Sequence, residues 1–303
     1  MRLAVVSAGL LGLAACASGE VTSDASQAID ARRTDAAVHD GPDVDAPPAD
    51  ARATDARDVD APGGTVGNLA LTEIVLAPTG GEMVELYNPG AVAVDLGTYY
   101  LSDAPGYFKL PAGVAAVAAD TSDFVARFPA GASLAPHAVA TVAIDTAANF
   151  TAAYPGVTPT WSIGSGTMTV LTTGTPTLTN AGEPVVLFQW NGASDRVADV
   201  DIMYAGTPSA ANLLVAKTPV DGPDADTTPT AYAADALTLP TQTAPGSAKS
   251  TKRIALESAA TETFTGGNGL GGHDETSEQT NLTWDSGAYT APTPGEVPAS
   301  LMP

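Results

Sequence analysis

From residue 69 to residue 204 the apolar side chains of this chain come in short runs. Each run is cut by glycine, proline, asparagine or aspartate. The runs fall at 69–76, 83–87, 92–101, 107–110, 138–144, 168–171, 184–190 and 197–204, rich in Val, Thr and Tyr. Asn88, Pro89 and Gly90 close the second run as a turn, because Pro fixes φ and Gly accepts positive φ. Short β-prone runs bounded by turn residues are the signature of an all-β sandwich. One helix is expected at 146–154, with Asp145 as N-cap and Pro155 and Gly156 as the stop. A parallel α/β fold needs many long helices between strands, and the pattern offers none.

Composition narrows the class further. The chain has 303 residues, 30 Gly and 24 Pro, too many for a helical bundle and too few for a wholly disordered chain. Its 34 acids and 12 bases give a net charge of −22, which argues against nucleic acid and anionic lipid surfaces as direct partners. One Cys rules out a disulfide framework, and three His leave no room for a multi-histidine metal centre.

The chain opens with Met1 and Arg2, and an apolar stretch follows over 3–15. That is too short to span a bilayer, which needs about 20 apolar residues. A basic start, a short apolar run and small residues read as a secretory signal. Leu13, Ala14, Ala15 and Cys16 resemble the bacterial lipobox, in which the Cys is lipidated and begins the mature protein. The resemblance implies a signal peptide at 1–16, lipid on Cys16 and membrane attachment through that lipid. Ala17 lacks the Asp associated with inner-membrane retention, so the expected place is the cell envelope at the outer membrane. The plainer alternative is an ordinary signal with a passenger Cys. Residues 17–66 then repeat Asp-Ala at 24, 30, 35, 45, 50, 55 and 60, with almost no large apolar side chains. Such composition cannot bury enough apolar area to offset chain entropy, so a disordered linker is expected, acting as a stalk.

Three stretches after the linker resemble the lamin-tail domain: Leu71, Thr72, Glu73 and Ile74; Glu82, Val84, Glu85, Leu86, Tyr87 and Asn88; Asp95, Leu96, Tyr100 and Leu101. Leu178, Asn180, Gly182 and Glu183, then Asp199, Asp201 and Tyr204, are similar to later strands of that family. Arg253, Trp284 and the run Pro292, Thr293, Pro294, Gly295 are similar to its close. Thr72 stands where Asn is usual, and the turn before Gly97 is one residue short. The resemblance spans 68–204 and resumes near 249–296. It implies an immunoglobulin-like β-sandwich with long loops over 67–298, an insertion at about 205–248, and no catalytic residue set. In the alternation, Val84 and Leu86 would face the sandwich, while Met83, Glu85 and Tyr87 share the other face.

Motifs for chemistry are scarce. There is no Gly-x-Ser-x-Gly elbow, phosphate loop or His-Glu-x-x-His pair, and His137 follows Pro136 in an expected surface turn. Two acidic clusters remain. Asp199, Asp201, Asp221, Asp224 and Asp226 offer carboxylates at turn spacing, able to converge on a hard cation such as Ca²⁺. His273, Asp274, Glu275 and Glu278 follow a glycine-rich stretch at 266–272, a candidate metal loop. Either cluster is equally readable as a solvated or flexible loop. The expectation is therefore a non-enzymatic, lipid-anchored binding, adhesion or scaffolding protein with a protein or cell-surface partner. The alternatives are a Ca²⁺-stabilised module, or a metal-assisted hydrolase built on Asp199, Asp201, Asp224 and His273. Tyr99, Tyr100, Tyr107 and Trp190 are candidates for a contact surface, with core burial as their other use.

Overall fold

In the computed structural model, the described residues are 69–117, 119–207, 216–237, 244–285, 287 and 289–302. The signal, the lipobox and the linker expected before residue 67 lie outside them, as do parts of the expected insertion. Two five-stranded sheets carry the fold. The first has the order β12 (Thr251–Lys252), β1 (Ala70–Val75), β2 (Met83–Tyr87), β7 (Val139–Ala143), β8 (Trp161–Ser162). The second runs β11 (Ala198–Gly206), β10 (Gly182–Gln189), β4 (Tyr99–Ser102), β5 (Val125–Arg127), β9 (Thr169–Val170). A short pair joins β3 (Val94–Asp95) to β6 (Ser133–Leu134). Every pairing is antiparallel except β7 with β8. This is the β-sandwich that the apolar runs imply, immunoglobulin-like as the resemblance implies.

Alternation along each strand fills the space between the sheets. Leu71, Ile74, Val84, Leu86 and Val142 from the first sheet meet Leu101, Val185, Leu187 and Met203 from the second, all fully buried. The outer faces are covered too, which simple alternation does not foresee. On the second sheet, Tyr100, Phe188 and Ile202 are packed under Tyr107, Phe108, Val220 and Tyr232. Tyr100 and Phe188, opposite each other on β4 and β10, stack with ring centroids 5.1 Å apart. On the first sheet, Val75 and Met83 are packed under Phe150 of the helix Ala147–Ala153.

Two local expectations shift. Thr146, not Asp145, caps that helix: its hydroxyl accepts the Asn149 N–H, while Asp145 accepts the Thr146 N–H and the Asn149 side-chain amide. Residues 107–110 are a turn of 3-10 helix, Tyr107–Ala112, rather than a strand. There the Tyr107 and Lys109 N–H groups bond carbonyls three residues back, and Pro111 has no N–H to offer a ladder. The Asn88 turn holds as expected, because its side-chain amide donates to the carbonyls of Val92, Leu134 and Ala135.

Glu73 and Glu85 face each other across β1 and β2 on the outer side of the first sheet, both buried. The closing segment lies over them. Thr293 donates its N–H to Glu73 at 2.9 Å, and Gly295 donates its N–H to Glu85 at 2.6 Å. Burial pushes the Glu85 carboxyl up to about 8, against the Gly295 N–H, with the Glu73 charge adding to the rise. The folded state thus keeps a proton that the unfolded chain releases above 4.5, so stability falls as pH rises from about 5 to about 8. The slope from this one group is at most about 1.4 kcal/mol per pH unit. Glu85→Gln, which keeps an acceptor for Gly295 without the charge, should flatten the fall of melting temperature across that window. An unchanged slope in the variant would remove Glu85 as its source.

Candidate functional site

Both sheets carry a β-bulge, and the two meet. In β1 the partners run Leu71 with Leu86 and Glu73 with Glu85, leaving Thr72 extra. In β11, Leu187 pairs Asp201 and Phe188 pairs Asp199, leaving Val200 extra. A bulge frees backbone groups from the ladder and re-aims side chains. Val200 therefore joins the core between the sheets, and Asp199 and Asp201, two apart in sequence, take different partners. The Asp199 carboxylate accepts the Tyr107 hydroxyl at 2.5 Å and the Lys217 ammonium at 2.9 Å. Asp201 reaches across to β1, where its Oδ2 accepts the Leu71 N–H at 2.7 Å.

Arg253 completes that contact. Its Nε donates to the Leu71 carbonyl at 2.6 Å and its Nη2 donates to both Asp201 oxygens at 2.8 and 2.7 Å. Its Nη1 donates to Glu278 at 2.7 Å and to Glu257, and the guanidinium lies 4.6 Å from the centre of the Trp284 ring. Arg253 and Trp284 are both completely buried. Burial opposes the Arg253 charge, but Asp201, Glu257 and Glu278 outweigh it and its pKa is raised. Burial pushes the Asp201 carboxyl well up, partly countered by Arg253. Nearby, Lys217 bridges Asp199 and Asp235 with its side chain fully buried. Burial alone would depress the ammonium; the two carboxylates outweigh it and raise its pKa.

The glycine-rich stretch docks against β11. The Asp199 N–H donates to the Asn268 carbonyl at 3.1 Å, and the Gly269 N–H donates to the His273 carbonyl at 2.7 Å. The backbone passes so closely that a Cβ on Gly267 would lie 2.2 Å from the His273 oxygen. A Cβ on Gly269 would lie 2.9 Å from Glu275 Oε1. Past this loop, Glu262, His273 and Glu275 offer ligand atoms all within 4.8 Å of one another. Glu262 and Glu275 are 7% and 5% exposed, and the Oε1 of each has no hydrogen-bond partner. The His273 ring stacks on Phe264 at 4.1 Å with only 6° between planes.

The other expected residues scatter. Asp274 gives Oδ2 to the Ala236 N–H and Oδ1 to the Thr276 hydroxyl, and Glu278 belongs to Arg253. Asp221 and Asp224 gather with Asp195, which the sequence pattern did not single out, while Asp224 Oδ1 accepts the Asp226 N–H. No compact group of acids and histidine among the described residues contains two of Asp199, Asp201, Asp224 and His273. Glu262 also went unnoticed in the sequence. It stands eleven residues before His273 with no motif spacing, and only the antiparallel bridge from Thr263 to Asp274 brings it close. Tyr99, Tyr100 and Tyr107 are buried, whereas the half-buried Trp190 lines an open cleft of about 880 Å³. Asn191, Arg196, Asp224, Tyr232 and residues 267–272 share that cleft, so the first acidic cluster and the glycine-rich stretch border it.

Removing one partner from a buried ion pair costs about 3–5 kcal/mol, because the others stay buried without compensation. Arg253→Met strands three carboxylates and should lower the melting temperature by roughly 10 °C, at about 2–4 °C per kcal/mol. Asp201→Asn keeps an acceptor for the Leu71 N–H and should cost less than Asp201→Ala. Thermal melts of the three variants check this, and an Arg253→Met protein melting with the parent would refute it.

Residues 62–203 match the family model described as Lamin Tail Domain. A solved structure, described as a DUF4876 family protein from Bacteroides thetaiotaomicron VPI-5482, is similar with a TM-score of 0.41 and 15% identity. That similarity covers 77% of this chain and 75% of the other. No curated protein matches the chain. The match takes in β1 through most of β11, with both bulges and their aspartates.

Proposed function

We propose that this chain is an exported, lipid-anchored presentation module whose lamin tail domain makes non-catalytic contacts with a protein or another cell-surface partner. The observation that carries the reading is how the acids of the domain are spent. Glu73, Glu82, Glu85, Asp103, Asp201 and Asp274 each accept a backbone N–H from a distant segment, so they hold the fold rather than a substrate. The surface offered to a partner is the cleft beside Trp190 and Arg196, where aromatic and polar groups meet exposed glycine backbone. No helix among the described residues is long and apolar enough to cross a membrane, and Cys16, in its lipobox-like setting, supports attachment by lipid instead. Residues 17–66 would space the domain from the outer membrane. Cys16→Ala should move the chain from the membrane fraction to a soluble exported form. If the variant still required detergent for extraction, the anchor would be refuted.

A second reading adds Ca²⁺ at the rim of the cleft. Asp195, Asp221 and Asp224 bring carboxylate oxygens within 4.8 Å, and Asp221 Oδ1 is buried without a hydrogen-bond partner. An oxygen-only set of this kind suits Ca²⁺. Millimolar Ca²⁺ should then raise the melting temperature beyond the effect of NaCl at matched ionic strength, and Asp224→Asn with Asp226→Asn should abolish the increment. Equal shifts with the two salts would leave the trio a solvated turn.

A further inference from the structure

We propose that Glu262, His273 and Glu275 form a binding site for one divalent transition-type cation of the Zn²⁺ class. The site is separate from the cleft-rim aspartates and stands whether or not the presentation reading holds. His273 Nδ1 lies 3.6 Å from Glu262 Oε1 and 3.9 Å from Glu275 Oε1. Ligands held about 2.1 Å from a tetrahedral centre sit roughly 3.4 Å apart, so the two His273 contacts need shorten by only a few tenths of an ångström, and all three ligand atoms already lie within 4.8 Å of one another. Both of these carboxylate oxygens are buried and lack hydrogen-bond partners, an arrangement that is costly without a counter-charge.

Charge balance points the same way. Asp201, Glu257, Glu262, Glu275 and Glu278 act on one another electrostatically, and the permanent cation among them is Arg253. That guanidinium is already committed to Asp201, Glu257 and Glu278. Burial accordingly pushes Glu275 well up, with Glu262 adding to the effect. Glu262 is pushed up to about 8 by burial, then by Glu257 and Glu278. Burial also lowers the His273 pKa, which favours the neutral imidazole a metal requires. Imidazole with two carboxylates selects Zn²⁺-class ions over Ca²⁺ and Mg²⁺, which prefer all-oxygen sites. Asp274 and Glu278 are not ligands, because their oxygens are engaged by Ala236, Thr276 and Arg253. The Phe264 stack fixes the ring, and Gly269 leaves the space beside Glu275 that a Cβ would take. A bound cation would staple the glycine loop and the turn Glu275–Ser277 to the segment before Thr263, none of which is held by a continuous ladder.

The test uses the full chain, stripped with a chelator and held near neutral pH. Zn²⁺, Co²⁺, Ca²⁺ and Mg²⁺ are added singly, with NaCl at matched ionic strength as reference. Zn²⁺ should raise the melting temperature by several degrees and titrate at one ion per chain. Co²⁺ should develop the visible bands of a low-coordinate nitrogen–oxygen site, which Ca²⁺ and Mg²⁺ added afterwards should not displace, and any Ca²⁺ increment should survive in His273→Ala. His273→Ala, at a ring 20% exposed, and the isosteric Glu262→Gln should each lose the Zn²⁺ shift and the Co²⁺ bands. Asp224→Asn with Asp226→Asn should keep the Zn²⁺ increment and the bands. A Zn²⁺ shift no larger than that of NaCl, or one retained in the folded His273→Ala protein, would overturn the site. Loss of both signals with the Asp224/Asp226 double variant would do the same, and displacement of Co²⁺ by Ca²⁺ at equal concentration would overturn the cation class.

Discussion

The hold that Asp201 and Arg253 take on the two backbone polar groups of Leu71 ties the sandwich together. A bulge in β1 leaves those groups outside the ladder, and a bulge in β11 turns Asp201 toward them. The carboxylate takes the N–H and the guanidinium takes the carbonyl, while the two bond each other in a fork. Buried backbone polar groups must be paired, and here the pairing doubles as a connection between sheets. Trp284 then packs on the guanidinium, and the Ile254 and Ala255 N–H groups bond the Thr283 carbonyl. The last third of the described chain, poor in strands, is anchored here as well as through β12, Asn268, Thr293 and Gly295.

The same device recurs with a single carboxylate. A sandwich with long loops has many N–H groups that no ladder can take, and Asp and Glu accept them wherever two remote segments meet. Glu82 accepts from Leu178, Asp103 from Phe124, Asp195 from Gly222 and Asp285 from Lys252. This gives much of the acidity a structural use, where repulsion alone would only oppose compactness. The arrangement carries a cost in desolvation. Burial raises Glu73, Glu82, Glu85 and Asp103, and the last keeps one oxygen with no hydrogen-bond partner. Acids in such settings brace loops at the expense of stability near neutral pH.

Negative charge gathers beside the glycine loop, where Glu262 and Glu275 adjoin His273. The loop lines the open cleft and runs on into the Glu262, His273 and Glu275 group. Holding that backbone in place would give a partner a defined cleft wall in a region with little secondary structure.

The order of apolar runs and turn residues determined the sandwich, because alternation and turn chemistry act over a few residues and can be read locally. Val84 and Leu86 face the core as their phase requires, and Asn88 makes its turn. The opening motif was legible as a lamin-tail pattern, but its link to the closing segment, Thr293 and Gly295 resting on Glu73 and Glu85, joins residues more than 200 apart in the chain. Spacing likewise put Asp199 and Asp201 together, and the bulge at Val200 parted them, since one extra residue reverses the phase of a strand. Glu262 came to His273 only by tertiary pairing. What a carboxylate does in this protein depends on which distant N–H, guanidinium or ammonium the fold sets before it, and no local pattern carries that information.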